Sequence, residues 1–227
     1  MTMKSNFKLA AVNLLFKILT TLTCRVNAES LERIPDRGPL IIVANHVNFL
    51  DLPIMYPRVY PKPVTGFAKV ETWDNPIMAY VFDILEAIPI RRGEVDITAL
   101  RKALDILDQG KLIAVAPEGT RSGNGRLQRG KSGVVMLALK SGAPLLPIVY
   151  YGGEKFKENI RRLKRTTVHI DVGKPFCLDT HGERITREVR EKMVDEIMAQ
   201  VAVLLPQEYR GYYSNLMPKS EKYIRFL

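Results

Sequence analysis

Apolar side chains recur at Phe7, Ala11, Leu14, Leu15, Ile18 and Leu22, the spacing of one helical face. Asn6, Asn13, Lys17 and Thr20 form a narrow polar stripe on the other side. A helix that spans a bilayer needs about 20 uninterrupted apolar residues, and Lys17 breaks this run. A secretory signal fits poorly because the run is broken and no convincing small-residue cleavage site follows. Two readings stay open, an amphipathic helix lying in a membrane interface and a helix packed on the protein's own core. The interfacial reading fits better.

Further along, continuous β-branched runs predict buried strands. They fall at 38–46 (GPLIIVANH), 64–69, 87–92, 111–119 and 144–153. Residues 166–173 (TTVHIDVG) alternate as a half-buried strand does. Helical periodicity covers 96–110, with Ile97, Leu100, Leu104 and Leu107 on one face and Gly110 as the stop. It returns at 131–142, ending at Gly142, and at 186–204, with Val189, Met193, Ile197, Val201 and Leu204 on its face. Strands alternating with helices imply a largely parallel α/β sheet with helices on both faces. Such sheets bind ligands beyond the carboxyl ends of their strands. The positions to weigh are therefore Asn45-His46, Arg91-Arg92 and Pro117 to Ser122.

Composition narrows the classes. The 227 residues, 46% hydrophobic and 26% charged, suffice for one α/β domain and exclude wholesale disorder. A net charge of +10 favours anionic partners: nucleic acid, an anionic membrane surface, or phosphorylated ligands. Cys24 and Cys177 are far apart and make neither a disulfide framework nor a metal site. They point to a reducing, cytoplasmic setting.

His46 stands directly after a predicted strand, with Asp51 five residues on. An imidazole is the usual general base near neutral pH, and a carboxylate on its far nitrogen fixes the tautomer. On one continuous helix such residues would point about 140° apart, so a working pair needs a turn between them. Asp51 at an N-cap, with Pro53 in the first helical turn, would provide it. On spacing alone, a simple cap and a simple strand-end residue explain the pair as well.

The string Pro117-Glu118-Gly119-Thr120-Arg121-Ser122 changes that balance. Together with His46-x-x-x-x-Asp51, it resembles the glycerolipid acyltransferases, most closely the 1-acyl-glycerol-3-phosphate (lysophosphatidic acid) acyltransferases. Two weaker blocks, IPIRRG and APLLPIVY, match in order, so the likeness runs from about residue 39 to 150. The resemblance implies a glycerol-3-phosphate acyltransferase-like fold, with a membrane-associating helix over 1–27 and the acyltransferase domain over 28–227. It implies transfer of an acyl group from acyl-CoA or acyl carrier protein to the sn-2 hydroxyl of lysophosphatidic acid, giving phosphatidic acid. No cofactor and no metal is implied beyond the thioester co-substrate.

In that scheme His46 takes the hydroxyl proton and Asp51 orients His46 and stabilises its charged form. Arg121, with the Gly119-Thr120 backbone, holds the acceptor phosphate, and Arg92 supplies a second positive group. Glu118 organises this pocket. Lys69 and Lys131 are further candidate anion-binding groups. The family usually carries an aromatic and an acidic residue before its second-block arginine, whereas here the run is Pro89-Ile90-Arg91-Arg92. Either Arg91 or Arg92 is therefore the match. The expected place of work is the cytoplasmic face of a membrane, as a peripheral or monotopic protein.

Two other classes compete. Gly125 to Ser132 spells a nucleotide-binding P-loop, G-x-x-x-x-G-K-S. Yet the preceding strand ends near Ala116, and a polar turn separates it from Gly125. The stretch reads better as a flexible turn into the next helix. The basic segment 154–167 would suit nucleic acid by charge, but Phe156 is its only aromatic. No specific nucleic-acid partner is expected, and His169 and His181 read as structural or surface residues.

Overall fold

The central strands are apolar along their whole length because both of their faces are covered. In the computed structural model, which describes residues 3–93, 96–215 and 221–227, Leu40 and Ile42 enter one core while Ile41 and Val43 enter the other. That is the period of two expected for a doubly covered strand.

The elements in chain order begin with helix α1 (Met3–Thr23) and edge strand β1 (Cys24–Asn27). Strand β2 (Leu40–Ala44) is followed by α2 (Asp51–Val59), β3 (Val64–Lys69), α3 (Pro76–Ile84) and β4 (Ile88–Ile90). Next come α4 (Ile97–Asp108), β5 (Leu112–Val115), α5 (Gly133–Ser141) and β6 (Leu145–Tyr151). The chain closes with α6 (Phe156–Arg161), β7 (Thr166–Val172), β8 (Phe176–Leu178), α7 (Arg187–Ala202) and β9 (Ile224–Phe226).

The sheet order is β1-β7-β6-β2-β5-β3-β4, with β8 paired to β6 and β9 to β8. Strands β6, β2, β5, β3 and β4 are mutually parallel. The 166–173 segment joins as an antiparallel strand, and β1 pairs in parallel with it. The expected mostly parallel sheet flanked by helices is present, and the strand at the N-terminal junction belongs to it.

Helix ends follow their local chemistry. The Asp96 carboxylate caps α4 by accepting from the Ala99 amide, and Thr186 caps α7 through Val189. Gly142 ends α5 in the left-handed region, at φ +65°. On α4 Ala99, Ala103 and Leu107 are fully buried in the core and Leu100 and Leu104 pack against it, while Ile97 is exposed. Of the predicted face, Leu100, Leu104 and Leu107 meet the core and only Ile97, the first residue of the helix, stands clear of it.

Helices α4, α5 and α7 cover one face of the sheet, and α2 covers the other. Helix α1 then lies across α2 and touches α3. Its polar stripe turns inward at Thr20, which is 2% exposed. Its apolar face turns outward, with Phe7 at 77% and Leu22 at 68% exposure.

Candidate active site

Strand β2 leaves for α2 on one face, and β5 leaves for α5 on the opposite face. The two strands are parallel neighbours. Their carboxyl ends therefore open a crevice of the kind where such sheets bind ligands. The HxxxxD segment follows β2 and the PEGTRS segment follows β5, so the topology alone brings them together.

Asn45 steers the chain out of β2. Its side-chain amide donates to the Tyr150 carbonyl at 2.7 Å and accepts from the Tyr150 amide at 2.9 Å. A side chain thus extends the β2–β6 ladder by one rung and fixes where His46 leaves the sheet. The sequence marks Asn45 only as a strand-end residue; its role shows in the backbone of Tyr150, far along the chain.

His46 Nδ1 lies 2.6 Å from Asp51 Oδ2. The same oxygen accepts from the Val47 amide at 2.8 Å, and Oδ1 accepts from the Asn48 amide at 3.0 Å. Asp51 is the first residue of α2 rather than its N-cap, which is Leu50. The turn curls back so far that the Val47 and Asn48 amides reach the carboxylate, and the expected helix-capping role is replaced by closure of this turn. An ionised carboxylate only accepts, so Nδ1 carries the proton facing it and Nε2 is left as an acceptor. The two side chains are 23% and 15% exposed, open enough to be reached by a substrate.

Glu118 is 2% exposed. Its Oε1 accepts from the His46 amide at 2.8 Å and its Oε2 from the Gln128 amide at 3.0 Å. Burial raises its pKa above the ordinary glutamate value, against the pull of those two amides. This buried carboxylate acts as a bracket between three chain segments. The Ser122 amide donates to the His46 carbonyl at 2.8 Å, and the Gly123 amide to Val47 at 2.9 Å, so the two motif loops are laced backbone to backbone.

Gly119 takes φ +70°, and a Cβ there would sit 2.9 Å from Lys131 Nζ. The Lys131 side chain therefore lies over Gly119, while its amide donates to Pro117 at 2.8 Å. Thr120 and Arg121 are exposed beside this turn. The structure thus brings together His46, Asp51, Glu118, Gly119, Thr120, Arg121 and Lys131. Lys69, the last residue of β3, and Arg92, two residues after β4, are exposed at the same end of the sheet. By strand spacing, the β4 axis is about 14 Å from that of β2.

The P-loop spelling has no phosphate cradle behind it. The amides of Gly125, Arg126, Gln128 and Gly130 donate to Ser122 Oγ, Asn124 Oδ1, Glu118 Oε2 and Tyr213 Oη. Leu127 exchanges backbone bonds with Tyr209 and Tyr212. Groups that would hold a nucleotide's phosphates are thus consumed within the fold. The expectation of a flexible turn is also corrected, because the C-terminal strap Gln207–Tyr213 pins this loop.

In the basic segment, Arg165 donates to the Thr21 and Cys24 carbonyls at the end of α1, and Arg162 pairs with Glu158. Phe156 packs edge-on against Phe49. Part of this charge is structural, and its one aromatic is engaged. His169 stacks on Tyr151, with ring centroids 5.0 Å apart, a structural role as expected.

Comparison with known proteins agrees with this geometry. The family model described as "Acyltransferase" matches residues 25–151, more than half of the 227-residue chain. A chloroplast 1-acyl-sn-glycerol-3-phosphate acyltransferase of Arabidopsis thaliana is 27% identical over 183 residues, 76% of this chain and 49% of that protein. A 1-acyl-sn-glycerol-3-phosphate acyltransferase of Borreliella burgdorferi is 29% identical over 173 residues, 73% of this chain and 69% of that one. The match spans about half the length of the plant relative. The crystal structure of the 1-acyl-sn-glycerophosphate (LPA) acyltransferase from Thermotoga maritima superimposes with a TM-score of 0.64 at 29% identity. That alignment covers 85% of this chain and 77% of the other. With its two motif loops laced at the β2–β5 crevice and its family model matched across them, this chain belongs to the acyltransferase family.

Proposed function

We propose that the chain moves an acyl group from a thioester to the sn-2 hydroxyl of 1-acyl-glycerol-3-phosphate, yielding phosphatidic acid. The observation that carries this reading is the pairing of His46 with Asp51 beside the Gly119–Arg121 turn. His46 Nε2 takes the hydroxyl proton as the oxygen attacks the thioester carbonyl. The tetrahedral adduct then expels the thiolate, which recovers that proton from the imidazolium. Asp51 stabilises the imidazolium between these steps. The Arg121 guanidinium and the exposed turn at Gly119-Thr120 receive the acceptor's phosphate, with Lys131 as a neighbouring cation. The names of the Arabidopsis, Borreliella and Thermotoga relatives favour this acceptor. The donor is acyl-CoA or acyl carrier protein, and the reaction scheme calls for no cofactor.

The same reading places the protein peripherally on the cytoplasmic face of a membrane. Among the described residues no helix is long and apolar enough to cross one. Helix α1 instead turns Phe7, Leu14, Leu15, Ile18 and Leu22 outward, all at least 49% exposed, as an interfacial helix would. Helix α1 serves as the docking segment, and the expected boundary after residue 27 moves back to the end of that helix, because β1 (Cys24–Asn27) pairs with β7 in the sheet of the catalytic domain.

The deciding assay gives purified protein labelled acyl-CoA or acyl carrier protein thioester with lysophosphatidic acid, glycerol-3-phosphate or lysophosphatidylcholine in turn. Phosphatidic acid formed preferentially from lysophosphatidic acid supports the proposal. Equal or better transfer to another acceptor refutes it.

A further inference from the structure

Helix α3 is apolar in sequence, PIMAYVFDI, yet none of its residues is buried. Ile77 is 74%, Met78 41% and Tyr80 52% exposed. Polar ties hold it in place instead. Asn75 Oδ1 accepts from the Ile77 and Met78 amides at 3.0 and 3.1 Å, and Trp73 Nε1 donates to Asp83 Oδ1 at 2.8 Å. A helix anchored by its ends while showing its apolar face to water marks an interaction surface.

Three observations identify the occupant. Helix α3 adjoins α1, and Lys8 Nζ stands 5.5 Å from the centre of the Tyr80 ring. The outward apolar face of α1 therefore runs on into that of α3. Secondly, α3 follows the carboxyl end of β3, the end of the parallel sheet that carries His46. Thirdly, the exposed cations Lys8 and Lys17 on α1 and Lys69, Arg91 and Arg92 at the strand ends flanking α3 outnumber the exposed carboxylates Glu71, Asp74 and Asp83 beside and on α3, and Asp83 is already tied to Trp73. A second copy of the chain, docked face to face, would set two net basic surfaces against each other. An anionic lipid surface satisfies both the apolar centre and the basic surround.

We propose that α3 is a second membrane-docking element, seating Ile77, Met78 and Tyr80 in the lipid interface beside α1. Two helices then fix the tilt of the domain, so that the β2–β5 crevice faces the bilayer holding its acceptor. This rests on the docking role proposed for α1. Trp73 is the protein's single tryptophan and sits immediately before α3 in the turn Val70–Asp74, a native reporter for this helix.

The test uses the full chain with phosphatidylcholine vesicles containing one-third phosphatidylglycerol, with and without brominated acyl chains. Sedimentation measures binding and Trp73 emission measures depth. One variant carries Ile77→Glu with Met78→Glu, exposed positions in the first turn of α3 where acidic residues suit the helix dipole. Another carries Leu14→Glu with Leu15→Glu in α1. Wild-type protein should bind with Trp73 quenched by bromine. The α3 variant should partition about tenfold less or weaker, from the lost burial of two large side chains, while turning over detergent-dispersed substrate normally. Binding of the α3 variant equal to wild type, with loss only in the α1 variant, overturns the role of α3 and leaves that of α1 standing. Wild-type binding by both variants overturns both. Should the α3 variant lose activity in detergent as well, the comparison passes to Met78→Glu alone against Met78→Leu. Weaker binding by the glutamate variant alone upholds the proposal, and equal binding by the two refutes it. Wild-type protein whose Trp73 stays unquenched when bound refutes the insertion.

Discussion

Asp51 Oδ2 stands 2.6 Å from His46 Nδ1 and 2.8 Å from the Val47 amide, so one carboxylate oxygen both orients the imidazole and closes the loop that carries it. Asp51→Asn removes the negative charge and gives the amide only one acceptor oxygen for three donors. The imidazolium formed during transfer loses its stabilisation, and kcat should fall about 10²- to 10⁴-fold with little change in acceptor KM. The unmatched backbone donor should also lower stability by about 1 kcal/mol. Steady-state kinetics and urea unfolding measure the two effects separately.

Glu118 couples the site to pH. Burial lifts its pKa above the ordinary value of 4.5, so the folded protein holds this proton more tightly than the unfolded chain. Its contribution to stability therefore declines as pH rises from about 4.5 through the raised folded value, and is flat above it. Glu118→Gln should flatten that decline in urea midpoints measured across acidic to neutral pH. It should also weaken activity, because an amide cannot accept from the His46 and Gln128 amides on both of its terminal atoms.

Arg121 and Arg92 should differ. Arg121 adjoins the Gly119-Thr120 turn, and under the proposed phosphate-binding role its loss removes charge-assisted hydrogen bonds of about 1.5–3 kcal/mol each. Arg121→Ala should therefore raise the KM for lysophosphatidic acid roughly ten- to a hundredfold. Arg92 follows β4, two strands from the β5 that leads into the Gly119–Arg121 turn, about 9.5 Å between strand axes and past the screening length of about 8 Å at physiological salt. Arg92→Ala should change that KM less than Arg121→Ala does. Acceptor titrations of both variants at fixed thioester give the comparison.

The loop from Gly125 to Lys131 depends on the C-terminal strap. Tyr213 Oη accepts from the Gly130 amide at 3.0 Å and donates to Asp195 at 3.2 Å. Tyr213→Phe strands a buried amide, a loss of about 1–3 kcal/mol. In a domain of this size that lowers Tm by about 2–12 °C, read by calorimetry.

The sequence showed the sheet most clearly where residues serve a covered face. Leu40 to Val43 and Leu145 to Ile148 are apolar throughout because two cores enclose them, and α7 showed its period because Val189, Met193, Ile197 and Val201 all meet the core. Helix α3 escaped notice, since its apolar residues face no core and give no helical stripe against a polar side. Strands β1, β8 and β9 are too short for a pattern to form. In the site, His46, Asp51 and the Glu118–Arg121 run were legible by their spelling. The supports were not. Asn45 works through the backbone of a residue 105 positions away, and Gly130 through a hydroxyl 83 positions away. Glycines and polar residues at 123–131 spell a loose turn, while backbone bonds that sequence cannot display make it a fixed one.

The central claim is that His46 is the base in acyl transfer at the β2–β5 crevice. Its most direct test is the rate of phosphatidic acid formation by His46→Ala, measured on protein whose unfolding transition matches wild type. The expected result is a kcat lower by about 10²- to 10⁴-fold, with acceptor KM within a few-fold of wild type. A His46→Ala protein that keeps its kcat within about tenfold of wild type would contradict the account, whatever the acceptor.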